Sequence, residues 1–108
     1  MNKILENLNI LKPILIILHG SQVNKKFLDP NLDIDLIVVS NYFIRIIFFD
    51  RIKMIQNIFK NKNISNVDVI CLTEEEFYSN IQKKSKLNES LKKGYRIISG
   101  RIRNGHNL

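Results

Sequence analysis

The chain alternates short apolar runs with polar, asparagine-rich connections, and the period of each run indicates the element it can form. In residues 2–11, Ile4, Leu5, Leu8 and Leu11 fall on one helical face, and Pro13 ends the pattern. Ile14–Leu18 is a continuous apolar run of strand length, closed by His19-Gly20-Ser21. Residues 22–32 are polar, include Pro30, and read as a loop with room for one helical turn. Asp33–Ser40 reads as the second strand. A helix is expected over roughly 47–61, where Phe48, Ile52, Ile55 and Phe59 recur at spacings of four, three and four, before Asn61, Lys62 and Asn63 end it. Val67–Leu72 is a third strand. Thr73 and Glu76 have the spacing of a capping box, which predicts a helix from Glu74 to about Lys84. A short helix at about 87–93 ends at Gly94, a residue suited to a left-handed cap. Tyr95–Ser99 completes the strands, and the tail from Gly100 to Leu108 reads as frayed.

This order predicts an α/β (α+β) fold: a small mixed β-sheet with helices packed mainly on one face. No linker, repeat or long low-complexity segment divides residues 1–108, so a single minimal domain is expected. With 44% hydrophobic residues in 108 positions the core is thin. Phe48, Phe49 and Phe59 are expected in it, with Cys71 as a small buried hydrophobe. His19 is expected as a packed or hydrogen-bonded side chain. No apolar run reaches the ~18–20 residues of a membrane span. Glu6, Asn7 and Asn9 interrupt the N-terminal apolar positions, against a signal peptide. The lone Cys71 excludes an internal disulfide and a cysteine zinc cluster. A cytoplasmic location follows as the expectation. The formal net charge of +7 favours anionic partners such as nucleotides, RNA or an acidic protein surface. Part of that charge reflects the general abundance of Ile, Lys and Asn, as AT-rich coding produces. Lys83, Lys84, Lys86, Lys92 and Lys93 read as a solvated basic face, with docking of an anionic partner as the alternative.

Candidate chemistry sits at Asp33-Ile34-Asp35, where two carboxylates open one of the most apolar segments. Alternate residues of a strand share a face, so both carboxylates point the same way, about 7 Å apart at their Cα atoms. They repel unless a cation lies between them. Mg²⁺ is the natural ion, because it prefers hard oxygen ligands and is often held by one or two carboxylates plus substrate phosphates. Asp68 begins the third strand with the same alternation. If the second and third strands are neighbours, Asp68 joins the pair, and three carboxylates make a site for two metals. Gly20-Ser21 supplies the complement. A glycine after a strand lets backbone N–H groups approach a phosphate, and the serine hydroxyl adds a donor. Together these groups have what phosphoryl-type transfer needs, which is mostly positioning and charge stabilisation. The competing readings are a solvated strand start for Asp33 and Asp35, a strand-edge charge for Asp68, and a helix cap for Ser21.

Gly20-Ser21, a loop, then Asp33-Ile34-Asp35-Leu36 resembles the signature of the DNA polymerase beta-like nucleotidyltransferase superfamily. "VVSNYFIRIIFFDRIKMIQNIF", with Arg51 in its helix, resembles the segment after the metal strand in small prokaryotic members. "VDVICLTEEEF" resembles their third-carboxylate strand and helix start, and "LNESLKKGYRII" their closing helix, glycine and strand. The likeness covers about residues 12–99 and fits the stand-alone minimal type. It implies a Mg²⁺-dependent transferase moving an NMP group, AMP from ATP, to a hydroxyl acceptor. Asp33, Asp35 and Asp68 would be catalytic and metal-binding, and Gly20 and Ser21 would hold the nucleotide. It further implies a partner protein, since many minimal members are antitoxins that adenylylate a tyrosine of a HEPN-type toxin. Members often carry Arg and a second Gly after the Gly-Ser, and Ser before the first Asp. Here those positions are occupied by the run from Gln22 to Lys26 and by Leu32, so Lys25 or Lys26 takes the Arg's place in holding phosphate. The departures also motivate an alternative: a catalytically weak module of the same fold that neutralises its partner by docking. Nucleotide addition to an RNA end is a third reading, supported by the charge alone.

Overall fold

The computed structural model describes residues 1–29 and 31–103. Helix α1 (Asn2–Leu8) continues into a 3-10 turn at Asn9–Leu11 and ends where Lys12 turns left-handed, one residue before Pro13. Strand β1 (Leu15–His19) leads into a 3-10 turn, Gly20–Gln22, and β2 spans Ile34–Val39. Helix α2 (Phe48–Phe59), strand β3 (Val67–Leu72), helices α3 (Glu74–Ile81) and α4 (Lys86–Lys92) and strand β4 (Tyr95–Gly100) follow. The four strands form one sheet in the order β3-β2-β1-β4. β1 is antiparallel to both β2 and β4, whereas β2 and β3 are parallel, so the sheet is mixed as expected.

The capping box at α3 forms as its spacing predicts. The Thr73 side chain accepts from the Glu76 N–H at 3.2 Å, and Glu76 Oε1 accepts from the Thr73 N–H at 2.7 Å. The helix stops at Ile81, short of Lys84, because Ser85 starts α4: its side chain accepts from the Asn88 N–H at 3.1 Å.

The layering differs from the expectation of helices mainly on one face. Alternate residues of β1 and β2 feed two separate cores. Ile16, Leu18, Ile34, Leu36 and Val38 pack with Ile4, Leu8, Leu11, Ile55 and Phe59 of α1 and α2. Leu15, Ile17, Ile37 and Val39 pack with Phe77, Tyr78, Ile81 and Leu91 of α3 and α4. Both faces of the central strands are therefore buried, which is why those strands are apolar throughout rather than alternating. The aromatic expectation also needs correction. Phe59 is buried, but Phe48 and Phe49 are 56% and 62% exposed, because the buried stripe of α2 is Arg51, Ile55 and Phe59. Cys71 is buried as expected, and desolvation pushes its thiol up to about 12.

Arg51 is the unexpected member of that stripe. Its guanidinium donates to the carbonyls of Ile46 (2.7 Å), Phe43 (2.9 Å) and Cys71 (3.1 Å), and to Glu76 Oε1 at 2.6 Å. One side chain thus ties the loop after β2, the end of β3 and the cap of α3 together. β3 is an edge strand with only β2 as a hydrogen-bonded neighbour, so this clasp helps fix it in place. The tail is anchored further than expected: Arg103 pairs with Glu74 at 2.7 Å, and its N–H donates to the Tyr78 hydroxyl at 3.0 Å. Residues 104–108 of the expected frayed tail lie outside the described residues. No helix among the described residues is long and apolar enough to cross a membrane.

Candidate active site

The sheet register brings the candidate carboxylates together. Asp68 on β3 is the register partner of Asp35 on β2, and Asp35 is the partner of His19 on β1. His19 in turn faces Tyr95 on β4. A row Asp68–Asp35–His19–Tyr95 crosses all four strands, with neighbours about 4.8 Å apart in the hydrogen-bonding direction. By strand alternation Asp35 shares the face of Ile37 and Val39, the side covered by α3 and α4. Asp33 lies one residue before β2 begins and is exposed, Asp35 is half-buried, and Asp68 is exposed.

Gly20 is fitted to Asp35. Its φ is +81°, a left-handed conformation that favours glycine. A Cβ placed there would sit 2.5 Å from Asp35 Oδ2. The absent side chain leaves the space that the carboxylate occupies, so the turn after β1 and the metal-candidate strand meet in atomic contact. Ser21 follows in the same turn, exposed. The turn has no side-chain cap, and its N-cap residue is His19, so the reading of Ser21 as a helix cap does not hold.

Lys25 and Lys26 lie in the loop beyond this turn. Lys25 is half-buried and its N–H donates to the Gln22 carbonyl at 3.2 Å. Lys26 is exposed, with its ammonium 5.6 Å above the Phe27 ring centroid. Among the described residues neither lysine pairs with a carboxylate.

Gln22 is the residue that sequence reasoning missed. Its position looked like a departure from the family pattern, yet the side chain is 1% exposed. Its Nε2 donates toward the carbonyls of Asp29 (3.2 Å), Leu32 (3.1 Å) and Asp33 (3.0 Å), and its Oε1 accepts from the Asp29 N–H at 2.7 Å. It clamps the loop that delivers Asp33 to the sheet. The only sequence signal was an uncharged, long polar residue directly after Gly-Ser, which the hydrophobic pattern cannot weigh.

His19 is packed, as expected, but not fully satisfied. Its Nδ1 lies 3.0 Å from Ser90 Oγ, while its buried Nε2 has no hydrogen-bond partner among the described residues. Burial pushes its pKa below the ordinary value, and the charge of Asp35 opposes that shift.

The donor set fits a hard divalent cation in a specific way. Asp35 and Asp68 offer carboxylate oxygens on adjacent strands, with Asp33 at the same end of β2. Among the described residues no group of three or more acidic, histidine or cysteine side chains gathers closely enough to cage an ion. Such a set suits Mg²⁺, which keeps few protein ligands and completes its shell with phosphate oxygens and water. Asp33, Asp35 and Asp68, expected to hold two metals, lie at the same end of β2 and β3.

A mixed four-stranded sheet with helices packed on both faces is the architecture of a nucleotidyltransferase type of fold. The family comparison agrees: residues 1–98 match the model described as "Nucleotidyltransferase domain", and the chain belongs to that family. Among solved structures, the chain resembles one from Sulfolobus solfataricus described as a "putative nucleotidyltransferase", with 26% identity and a TM-score of 0.50. That match covers 70% of this chain and 65% of the other, so this chain spans just under two thirds of that protein's length. No curated protein matches it.

Proposed function

We propose that this chain is a Mg²⁺-dependent nucleotidyltransferase that moves AMP from ATP to a hydroxyl on a partner protein. The observation that carries the reading is the contact of the Gly20 turn with Asp35 beside Asp68 in register. Asp33 and Asp35 hold the metal, with Asp68 beside them. Bound there, Mg²⁺ supplies charge neutralisation for the triphosphate and the departing pyrophosphate. The backbone of Gly20 and the hydroxyl of Ser21 bind phosphate oxygens, with Lys25 or Lys26 as a cation at the rim. Asp68 takes the proton of the acceptor hydroxyl. That oxygen bonds to the α-phosphorus as the bond from phosphorus to the pyrophosphate oxygen breaks.

The partner-protein part of the reading rests on a surface feature. Ile44, Ile47, Phe48, Phe49 and Ile52 are each more than half exposed. Phe48 also lines a small cleft with Ile70 of β3, two residues on from Asp68. Apolar clusters of this kind mark interaction sites more often than bare surface. An acceptor docked there lies beside the carboxylates, which accords with an antitoxin role toward a HEPN-type toxin. The same patch supports the second reading, a module that docks without chemistry.

The test follows labelled AMP from ATP onto a candidate partner, with bulk RNA as a competing acceptor. Asp68→Asn should keep Mg²⁺-ATP affinity within a few-fold and lower transfer by roughly 10²-fold or more, as losses of general bases do. Transfer at the wild-type rate by Asp68→Asn would show that Asp68 is structural. Label on RNA alone would sink the partner-protein reading, and label on neither acceptor would leave docking.

A further inference from the structure

The net charge of the chain has one source. Residues 83–103 carry eight Lys or Arg against one acid, Glu89, whereas residues 1–82 carry nine of each sign, so the whole formal +7 arises in this segment. A codon bias toward lysine acts along the entire chain and does not produce that division. The segment comprises α4, β4 and the residues that follow. Lys92 and Lys93 close α4, Arg96 lies within β4, and Arg101 directly follows it. All four are exposed, and none pairs with a carboxylate among the described residues.

These cations border an open sheet edge. Among the described residues β4 is hydrogen-bonded to β1 alone, so its other side presents unpaired N–H and C=O groups. The strand has six residues, an edge ~20 Å long at the usual rise. The two edges of the sheet differ in sign: β3 carries Asp68, and β4 carries Arg96. One arginine within a strand is enough to guard its edge against self-association, and unpaired cations at both ends exceed that role.

Three occupants compete for such an edge. A second copy of this chain would set like charges against each other. It would also meet a bulge, since Ile98 is an extra residue between the register pairs Ile17–Ile97 and Ile16–Ser99. A bulge bends an edge away from a second rigid sheet. Single-stranded RNA is held by stacking aromatics as well as by cations. The one aromatic of the segment, Tyr95, is half-buried against the α3–α4 core. A short extended peptide follows the bend and pairs with the free backbone groups, and acidic side chains on it meet the unpaired cations.

We propose that β4 accepts, as a fifth strand, an extended acidic segment of a partner protein. This goes beyond the nucleotidyl-transfer reading. The added strand lies at the opposite edge of the sheet from Asp68, so a segment held there leaves the acceptor side free.

The probe is a capped octapeptide alternating Glu and Val, followed by fluorescence anisotropy on the full chain. The same peptide with Lys for Glu should bind at least about ten-fold more weakly. With the acidic peptide bound, amides of Tyr95–Gly100 should gain protection from hydrogen exchange. N-methylation at alternate positions keeps every charge but strips the peptide of N–H groups along one edge, so one of the two such peptides should lose binding about ten-fold or more. Lys93→Glu with Arg96→Glu should weaken binding about ten-fold, as two attractions become repulsions. Lys60→Glu with Lys62→Glu makes the same change in net charge at exposed positions after α2 and should leave binding unchanged. Circular dichroism confirms the fold of both. Equal weakening by the two pairs, or binding without protection of β4, would overturn strand addition in favour of diffuse charge attraction. An octamer of uridylate that binds more tightly than the peptide, with the same sensitivity to Lys93→Glu and Arg96→Glu, would assign the edge to RNA and overturn it too. A wild type without affinity for the acidic peptide would end the proposal, whatever the outcome of the labelled-AMP assay.

Discussion

Replacing Gln22 with alanine is the sharpest test of how the loop presents Asp33. The wild-type amide makes one acceptor contact, to the Asp29 N–H at 2.7 Å, and donor contacts to the carbonyls of Asp29, Leu32 and Asp33. Nε2 has only two hydrogens, so the three donor contacts share them. The clamp is therefore worth about two donor bonds and one acceptor bond. Each contributes roughly 0.5–1.5 kcal/mol net, and a buried group left unpaired costs about 1–3 kcal/mol. The loop surface around residues 24–27 is open, so water reaches part of the vacated space and lowers the cost. We expect a loss of about 2–3 kcal/mol in urea unfolding, with the m-value unchanged. Hydrogen exchange should single out the Asp29 amide, which loses its acceptor. Gln22→Glu is the companion variant. It keeps an oxygen for the Asp29 N–H but sets a carboxylate against three carbonyls, so it should be no more stable than the alanine variant. A loss below about 0.5 kcal/mol for Gln22→Ala, or a Gln22→Glu protein as stable as wild type, would refute the clamp.

Three further outcomes follow from the geometry. Arg51→Met removes the clasp of β3 and leaves the Glu76 carboxylate without its cation. It should cost about 1–3 kcal/mol, the scale of leaving buried carbonyls unpaired, since Glu76 keeps 32% of its side chain in water, and Arg51→Lys should not restore the fan of carbonyl contacts. Burial pushes the Glu76 carboxyl up, but the Arg51 and Thr73 hydrogen bonds and the Arg51 charge outweigh it and hold the group below its ordinary value near 4.5. The folded chain then binds that proton more weakly than the unfolded one. The pair's stability is full above pH 4.5 and is lost as pH falls through the folded value, so acid titration of Arg51→Met should lack that component. Gly20→Ala forces a side chain into left-handed backbone and against Asp35. It should lower the melting temperature and abolish the stabilisation that saturating Mg²⁺-ATP gives the wild type; an unchanged ligand-induced shift would show that the contact is incidental.

Where a single local rule decided the outcome, the sequence was a reliable guide. The capping box and the bounds of β3 follow from spacing and alternation, whereas the pairing of Asp35 with Asp68 also needs β2 and β3 to be neighbours, which alternation does not decide. The glycine turn after β1 is legible too, because a left-handed residue at the end of a strand favours glycine. The two-sided helix cover is also encoded in the chain, by strands that lack a polar face. A run such as Leu36-Ile37-Val38-Val39 has no polar face, and a strand without one must be covered on both sides. The first turn of α2 misled for a different reason. Phe48 and Ile52 have helical spacing with Phe59, but Arg51 holds the inner position through hydrogen bonds that hydrophobicity does not count. Gln22 was invisible on the same ground: its partners are backbone groups seven to eleven residues away, set by the path of the loop.

That path has a consequence for how this loop can vary in length. Gln22 divides the connection between the glycine turn and β2 into two arcs of unequal freedom. From Asp29 to Asp33 the chain is measured against one amide, so adding or removing a single residue there would shift the aspartate out of step with the sheet. Between Lys26 and Phe27, where both residues are exposed, extra residues would only lengthen a solvated bend, at a cost that grows slowly with its length. Relatives of this chain can therefore differ in the number of residues between the glycine-serine pair and the aspartates while keeping the same site. The constant to look for is not the spacing itself but a side chain at the start of the loop able to grip its end.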